Sequence, residues 1–92
     1  MISPRLLVDK AYALVYADVR TAKQYFEEFI NILNIIADER NIDKETVEEL
    51  KHLAEWIMVF KTKWKGYDNK IVDATVDRFL GTVFDLYDQL IK

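Results

Sequence analysis

The one histidine of the chain, His52, follows Glu49 by three residues, a spacing found in the di-iron sites of helical bundles. Both side chains then share one helix face, and a metal site requires that face to point into the bundle. Further carboxylates would come from helix one or from a second copy of the chain; the candidates are Glu27 and Glu28. Leu50 and Leu53 mark the apolar stripe of this helix, so we expect His52 to face solvent. We predict no metal site and no cofactor, with a homo-oligomeric, ferritin-like metal protein as the alternative.

Paired carboxylates are the other arrangement with the spacing for chemistry, at Asp73 and Asp77 and again at Asp85 and Asp88. Such pairs perform general acid–base catalysis only where burial shifts the pKa of one member. Here they alternate with the apolar stripe of a helix, which is typical of a solvated face. The single serine, Ser3, begins a helix, and two isolated glycines cannot form a phosphate-binding loop. We therefore predict no catalytic residues and a protein that is not an enzyme.

A basic segment near the middle of the chain is the candidate nucleic-acid contact. In the interval 61–70 the only acidic residue is Asp68, so the local charge is +3. The basic residues of this segment are Lys61, Lys63, Lys65 and Lys70. Lysines contact phosphates, and an aromatic residue such as Trp64 can stack on a base. The competing interpretation is that the lysines stabilise a helix C-terminus while Trp64 completes the core. Because the whole chain has a net charge of −3, we predict an auxiliary contact, with a small DNA-binding regulator as a further alternative.

Size and composition indicate one helical domain over residues 1–92. Apolar residues make up 51% and charged residues 32% of the chain, a globular profile. There is no cysteine, so disulfides and thiolate chemistry are excluded, and a reducing cytoplasm or a hot habitat fits. The longest apolar run covers residues 11–17, far short of a membrane span of about 20 residues. We expect a cytoplasmic protein that has no membrane partner.

Three helices are predicted, and they must position any site. Ser3 and Pro4 form a good helix start, and no glycine or proline then interrupts the chain until Gly66. The predicted helices cover Pro4–Glu39, Lys44–Lys65 and Lys70–Ile91. The apolar seam of the first runs through Val15 and Val19. Short links favour an all-α, up-down-up antiparallel three-helix bundle with an unusually long first helix. That first helix either breaks near Asn31 or Asn34 or extends about 21 Å beyond the other two helices.

Apolar residues exceed what one stripe per helix requires. Residues 11–17 are apolar on all sides, and residues 56–60 behave similarly. One explanation is that helix one bends, so that the surplus becomes ordinary core. The interpretation we favour is a second apolar face that docks a larger protein or a second copy of the chain. Its predicted anchors are Tyr12, Tyr16, Trp56 and Val59, because aromatic residues are enriched at interface cores.

Small size, a surface rich in Lys, Glu and Ile, and the all-helical pattern over the whole chain support one family resemblance. In these respects the chain resembles the small helical accessory subunits that bind the archaeal B-family replicative DNA polymerase. The resemblance implies a non-catalytic subunit that stabilises a polymerase complex in a thermophilic archaeon, and it assigns no binding residue. The expected function is accordingly that of a non-catalytic interaction module docking on a larger protein.

Overall fold

The computed structural model describes residues 2–63 and 66–92 and confirms an all-α fold in these ranges. Its helices are α1 (Pro4–Tyr16), α2 (Ala22–Arg40), α3 (Lys44–Thr62) and α4 (Asn69–Leu90). The predicted three-helix bundle is therefore wrong, and the first helix is not unusually long. The chain predicted as Pro4–Glu39 forms two helices that fold back on each other.

Asp18 accounts for the break between α1 and α2. Ala17 has an extended backbone conformation (φ −66°, ψ 148°), which ends α1. The Asp18 carboxylate then accepts hydrogen bonds from the backbone N–H groups of Arg20 and Thr21 and from the Thr21 hydroxyl, at 2.9–3.0 Å. These bonds, led by those from Thr21, lower the pKa of Asp18 because they stabilise its charged form. The Asp18 side chain thus holds the turn that leads into α2, where no glycine or proline is present.

The four helices form an up-down-up-down bundle in which each packs against two neighbours. α1 lies between α2 and α4, and α3 lies between the same two helices on the other side. Lys10 of α1 pairs with Glu28 of α2, while Glu49 of α3 pairs with Arg78 of α4. α1 and α3 therefore occupy opposite corners of the bundle, as antiparallel neighbours joined by short links require.

Much of the apolar surplus lies in the core of this bundle. Phe29 of α2 and Phe79 of α4 meet edge to face across its centre, with ring centroids 5.1 Å apart. The predicted overhang of helix one does not exist, because residues of α1 are buried against the other helices. Fully buried large side chains are contributed by all four helices: Leu7, Leu14, Phe29, Leu33, Ile36, Leu50, Ile57, Phe79 and Val83.

Local capping signals explain the remaining boundaries. Ser3 caps α1 through the backbone N–H of Arg5, and Asn41 ends α2 in the left-handed region at φ 55°. Asp43 caps α3, which begins at Lys44 as predicted but ends at Thr62. Trp64 and Lys65, predicted to finish that helix, lie outside the described residues. Gly66 is not the cap of α3 but lies in the link that follows, at φ 85°.

Candidate protein-binding surfaces

Aromatic side chains meet on the outside of the bundle between α1 and α4. Tyr12 and Tyr16, one helical turn apart, stack with ring planes 3° from parallel and centroids 6.1 Å apart. Phe84 of α4 meets the Tyr12 ring edge to face at 5.8 Å. Tyr12 is half-buried, whereas Tyr16 is 78% exposed and Phe84 39%. We call these three residues the α1–α4 surface.

A second apolar surface lies between α3 and α4. Trp56 is 52% exposed and Ile71 56%, and both border a shallow depression of about 290 Å³ together with Tyr67. Phe60 lies at the base of this depression and is buried. Its ring contacts those of Trp56 and Tyr67, with centroid distances of 5.8 and 5.0 Å. Trp56, Tyr67 and Ile71 form what we call the α3–α4 surface.

The four predicted anchors do not form one face. Tyr12 and Tyr16 lie on α1, while Trp56 and Val59 lie on α3 at the opposite corner of the bundle. Val59 is half-buried and borders a small depression beside Trp56 and Glu55. The structure thus places the anchors on two separate surfaces, each completed by residues of α4.

Sequence reasoning did not identify Phe84, Tyr67 or Ile71 as members of these surfaces. A signal was present, because Phe84 and Ile71 are large apolar residues that lie off the apolar seam of α4. Tyr67 precedes α4 in the link, where helical periodicity does not apply. Its contact with Phe60 depends on how α3 and α4 meet in the folded chain.

Lys61, predicted as a nucleic-acid contact, is engaged inside the bundle. Its ammonium donates a 2.8 Å hydrogen bond to the carbonyl of Ala17, the residue that ends α1. Burial lowers the pKa of Lys61, and the nearby Asp18 carboxylate partly opposes this effect. The side chain borders an apolar cavity of about 280 Å³ that is lined by Val15, Ile57, Phe60, Tyr67, Asn69, Val72 and Val76. Lys61 thus stabilises the C-terminal end of α1, to which a cation is suited.

The other predicted lysines are distributed over the two ends of a link. Lys63 follows the last residue of α3, and Lys70 lies in the first turn of α4; both are exposed. Lys65 lies outside the described residues. Among the described residues, the predicted patch therefore contributes two lysines that face solvent and one that binds a backbone carbonyl.

The residues of the alternative metal site have other partners. Glu49 accepts hydrogen bonds from the Arg78 guanidinium, while His52 is exposed. Glu28 is bound by Lys10 and Gln24, and these contacts lower its pKa. Within residues 2–63 and 66–92, no three His, Cys, Asp or Glu side chains are grouped so that they could hold a metal ion.

The carboxylate pairs on α4 lie in solvent. Asp73, Asp77, Asp85 and Asp88 are all exposed. A polar groove of about 420 Å³ runs between α3 and α4 and includes Asp77, Asp85 and Gly81. The four carboxylates therefore lie on a solvent-exposed face of α4, as the sequence pattern predicts.

Comparisons of the chain with protein-family models, curated proteins and solved structures found no match. None of the described helices is both long and apolar enough to cross a membrane. The geometry of the two aromatic surfaces is therefore the observation from which a function can be argued.

Proposed function

We propose that this protein is a non-catalytic helical interaction module, an accessory subunit that docks on a larger protein. One observation carries the proposal: aromatic side chains contact one another on the outside of a bundle whose core is already filled. Single exposed apolar residues are ordinary, but contiguous groups mark interaction sites. Tyr16 stacks on Tyr12, and Trp56 belongs to a group of three aromatic rings. Aromatic residues of this kind supply much of the binding energy at protein interfaces.

A DNA polymerase is the first partner to test. The resemblance in size and composition to archaeal polymerase accessory subunits motivates this choice, and the role would then be stabilisation of a replication complex. A cytoplasmic location belongs to the same proposal and is consistent with a chain that has no cysteine. A second copy of the chain is the competing partner, and the experiment below distinguishes the two.

Affinity capture with surface variants tests the proposal. The tagged protein is recovered from the cells that express it, with and without nuclease, and bound proteins are identified by mass spectrometry. The variants are Tyr12→Ala/Tyr16→Ala and Trp56→Ala/Val59→Ala, each first shown to be folded by circular dichroism. We expect one nuclease-resistant protein in near-stoichiometric yield, reduced by about tenfold or more in at least one double variant. Binding to a purified archaeal B-family polymerase is then measured directly.

The matched control is Lys63→Ala/Lys70→Ala, which changes two exposed residues outside both aromatic surfaces. This control leaves the yield of partner unchanged if docking depends on the aromatic residues. A yield from both aromatic variants that equals the yield from the unmodified protein would contradict the proposal, as would recovery of the chain alone. Recovery of a second copy, confirmed by sedimentation of the purified protein, would establish self-association instead.

A further inference from the structure

Acidic residues share the outer face of α4 with Phe84. Asp77 precedes Phe84 by seven residues and Asp88 follows it by four, while Asp73 precedes Asp77 by four. At 3.6 residues per turn these four positions lie along one face of the helix. All three aspartates are exposed, and none pairs with a basic side chain among the described residues. We call Asp73, Asp77 and Asp88 the acidic ridge.

The acidic ridge borders the α1–α4 surface, because Phe84 of that surface lies on the same face of α4 as the three aspartates. The Tyr12 ring is in contact with Phe84, and Tyr16 extends the same apolar surface along α1. Within the described part of the chain, the basic residues placed beside this surface are Arg5 of α1, which pairs with Asp9 at 3.2 Å, and Lys70, which begins the outer face of α4. An apolar strip between two antiparallel helices is thus flanked by net negative charge.

From this juxtaposition we propose that the α1–α4 surface binds an amphipathic helix that carries lysine or arginine beside its apolar face. This inference rests on the proposed function and names the chemistry of the partner segment. The apolar side of the incoming helix covers Tyr12, Tyr16 and Phe84, whose rings contact one another between α1 and α4. Its cations approach the three aspartates, which favours association and fixes the orientation of the helix.

The same charge disfavours two other occupants. In a two-fold dimer that places α4 opposite α4, the acidic ridges of both copies are brought together; one that places α4 opposite α1 sets the ridge against a helix whose Arg5 and Lys10 are already paired. Nucleic acid is repelled, because its phosphates meet carboxylates rather than cations. The α3–α4 surface differs in that the depression at its centre is lined by uncharged side chains. Glu55 lies beside Trp56, and the groove farther along α4 holds Asp77 and Asp85 beside the Glu49–Arg78 pair.

Two synthetic helical peptides test the proposal. Each has about 18 residues, some 27 Å of helix, with the same leucine face; one is flanked by lysines and the other by glutamates. Binding to the full-length protein is measured by titration calorimetry at low and at high salt. We expect the lysine peptide to bind about tenfold or more tightly than the glutamate peptide, and to lose most of that advantage in high salt.

Variants of the protein assign the binding to this surface. Tyr16→Ala/Phe84→Ala is expected to weaken the lysine peptide by about tenfold or more, and Asp73→Asn/Asp77→Asn/Asp88→Asn by about five- to tenfold. The charge control is Glu27→Gln/Glu48→Gln/Glu55→Gln, which alters net charge equally at exposed sites on α2 and α3. The aromatic control is Trp56→Ala on the α3–α4 surface. Both controls retain the affinity of the unmodified protein.

Several results would overturn the inference. These are equal binding of the two peptides, no binding of either, and equal weakening by the acidic-ridge variant and its charge control. Self-association that is abolished by Tyr16→Ala/Phe84→Ala would replace the basic helix with a second copy. The proposed function is tested separately: if the captured partner is lost with Trp56→Ala/Val59→Ala but retained with Tyr16→Ala/Phe84→Ala, docking stands and this surface is not its site.

Discussion

Leu14 distinguishes the four-helix bundle from a continuous first helix. In the bundle its side chain is completely buried, whereas in an overhanging helix it would be exposed. Leu14→Ala should therefore cost about 3–5 kcal/mol of unfolding free energy, from lost apolar burial and the cavity left behind. A chain of 92 residues has a typical stability of about 5–14 kcal/mol, so this loss is a large fraction of the total.

Val19→Ala is the matched control for Leu14→Ala. A continuous helix has Val19 in its apolar seam, but in the structure this residue lies in the turn between α1 and α2 and is 60% exposed. Its truncation should change stability by no more than about 0.5 kcal/mol.

Urea and thermal unfolding, followed by far-ultraviolet circular dichroism, measure both effects. With an unfolding entropy of about 0.19 kcal/mol/K for 92 residues, Leu14→Ala lowers Tm by about 15 °C or more, and Val19→Ala by less than about 3 °C. The opposite order, with Val19→Ala costly and Leu14→Ala neutral, would refute the break at Asp18 and restore the continuous helix.

Three further predictions concern single positions. A Cβ at Gly81 would meet nothing within 4 Å, so Gly81→Ala should stabilise the protein by up to about 1 kcal/mol in thermal unfolding. The control, Ala74→Gly at an exposed position of the same helix, should cost about as much. A destabilised Gly81→Ala would show that another group approaches α4 there. The lowered pKa of Asp18 means that its contribution to stability is present above about pH 4, the ordinary range of an aspartate, and is lost as pH falls through the folded-state pKa. Asp18→Asn should therefore be less stable than the unmodified protein at pH 7, with the difference shrinking in urea titrations at low pH; a difference independent of pH would assign the effect to something other than the charge. Lys61→Met removes the hydrogen bond to Ala17 and should cost about 1 kcal/mol, whereas Lys63→Met, at an exposed site, should be neutral; equal effects would contradict the role of Lys61 at the end of α1.

The boundaries that sequence reasoning located correctly have local causes. Ser3 followed by Pro4 starts α1, and the turn at Asn41 separates two helices before Asp43 caps the next. Each depends on residues within one helical turn of the boundary, so the pattern can be interpreted without knowing the rest of the fold.

The break at Asp18 was missed because its cause competes with a strong periodic pattern. Apolar residues continue through the turn at a spacing that allows a seam to be drawn from Val15 to Val19 as if the helix continued. The decisive contacts are the three hydrogen bonds to the Asp18 carboxylate, together with burial of Leu7 and Leu14 against other helices. Tertiary packing thus buries Leu7 and Leu14, which lie beside the predicted seam, and leaves Val19 of that seam exposed.

The two aromatic surfaces could be predicted only in part, because they combine residues of different helices. Of the four predicted anchors, Tyr16 and Trp56 are exposed, while Tyr12 and Val59 are half-buried. Their surroundings were not predictable, because Phe84 and Tyr67 join the surfaces through contacts between helices that are distant in sequence. Helical periodicity predicts which residues lie outside the core, but the packing of the helices determines which of these residues contact one another.

The corrected fold changes the grounds on which a partner is expected. An overhang of helix one would have required another chain to cover it, but α1 is instead packed on α2 and α4. What remains exposed is smaller and more specific: two aromatic surfaces separated by α4. The three aspartates of the acidic ridge share a face of α4 with Phe84, whereas the depression at the α3–α4 surface is lined by uncharged side chains, so charge distinguishes two surfaces that are similar in apolar character. A partner that binds through a basic helix should therefore select the α1–α4 surface, leaving Trp56 and its neighbours free for a separate contact.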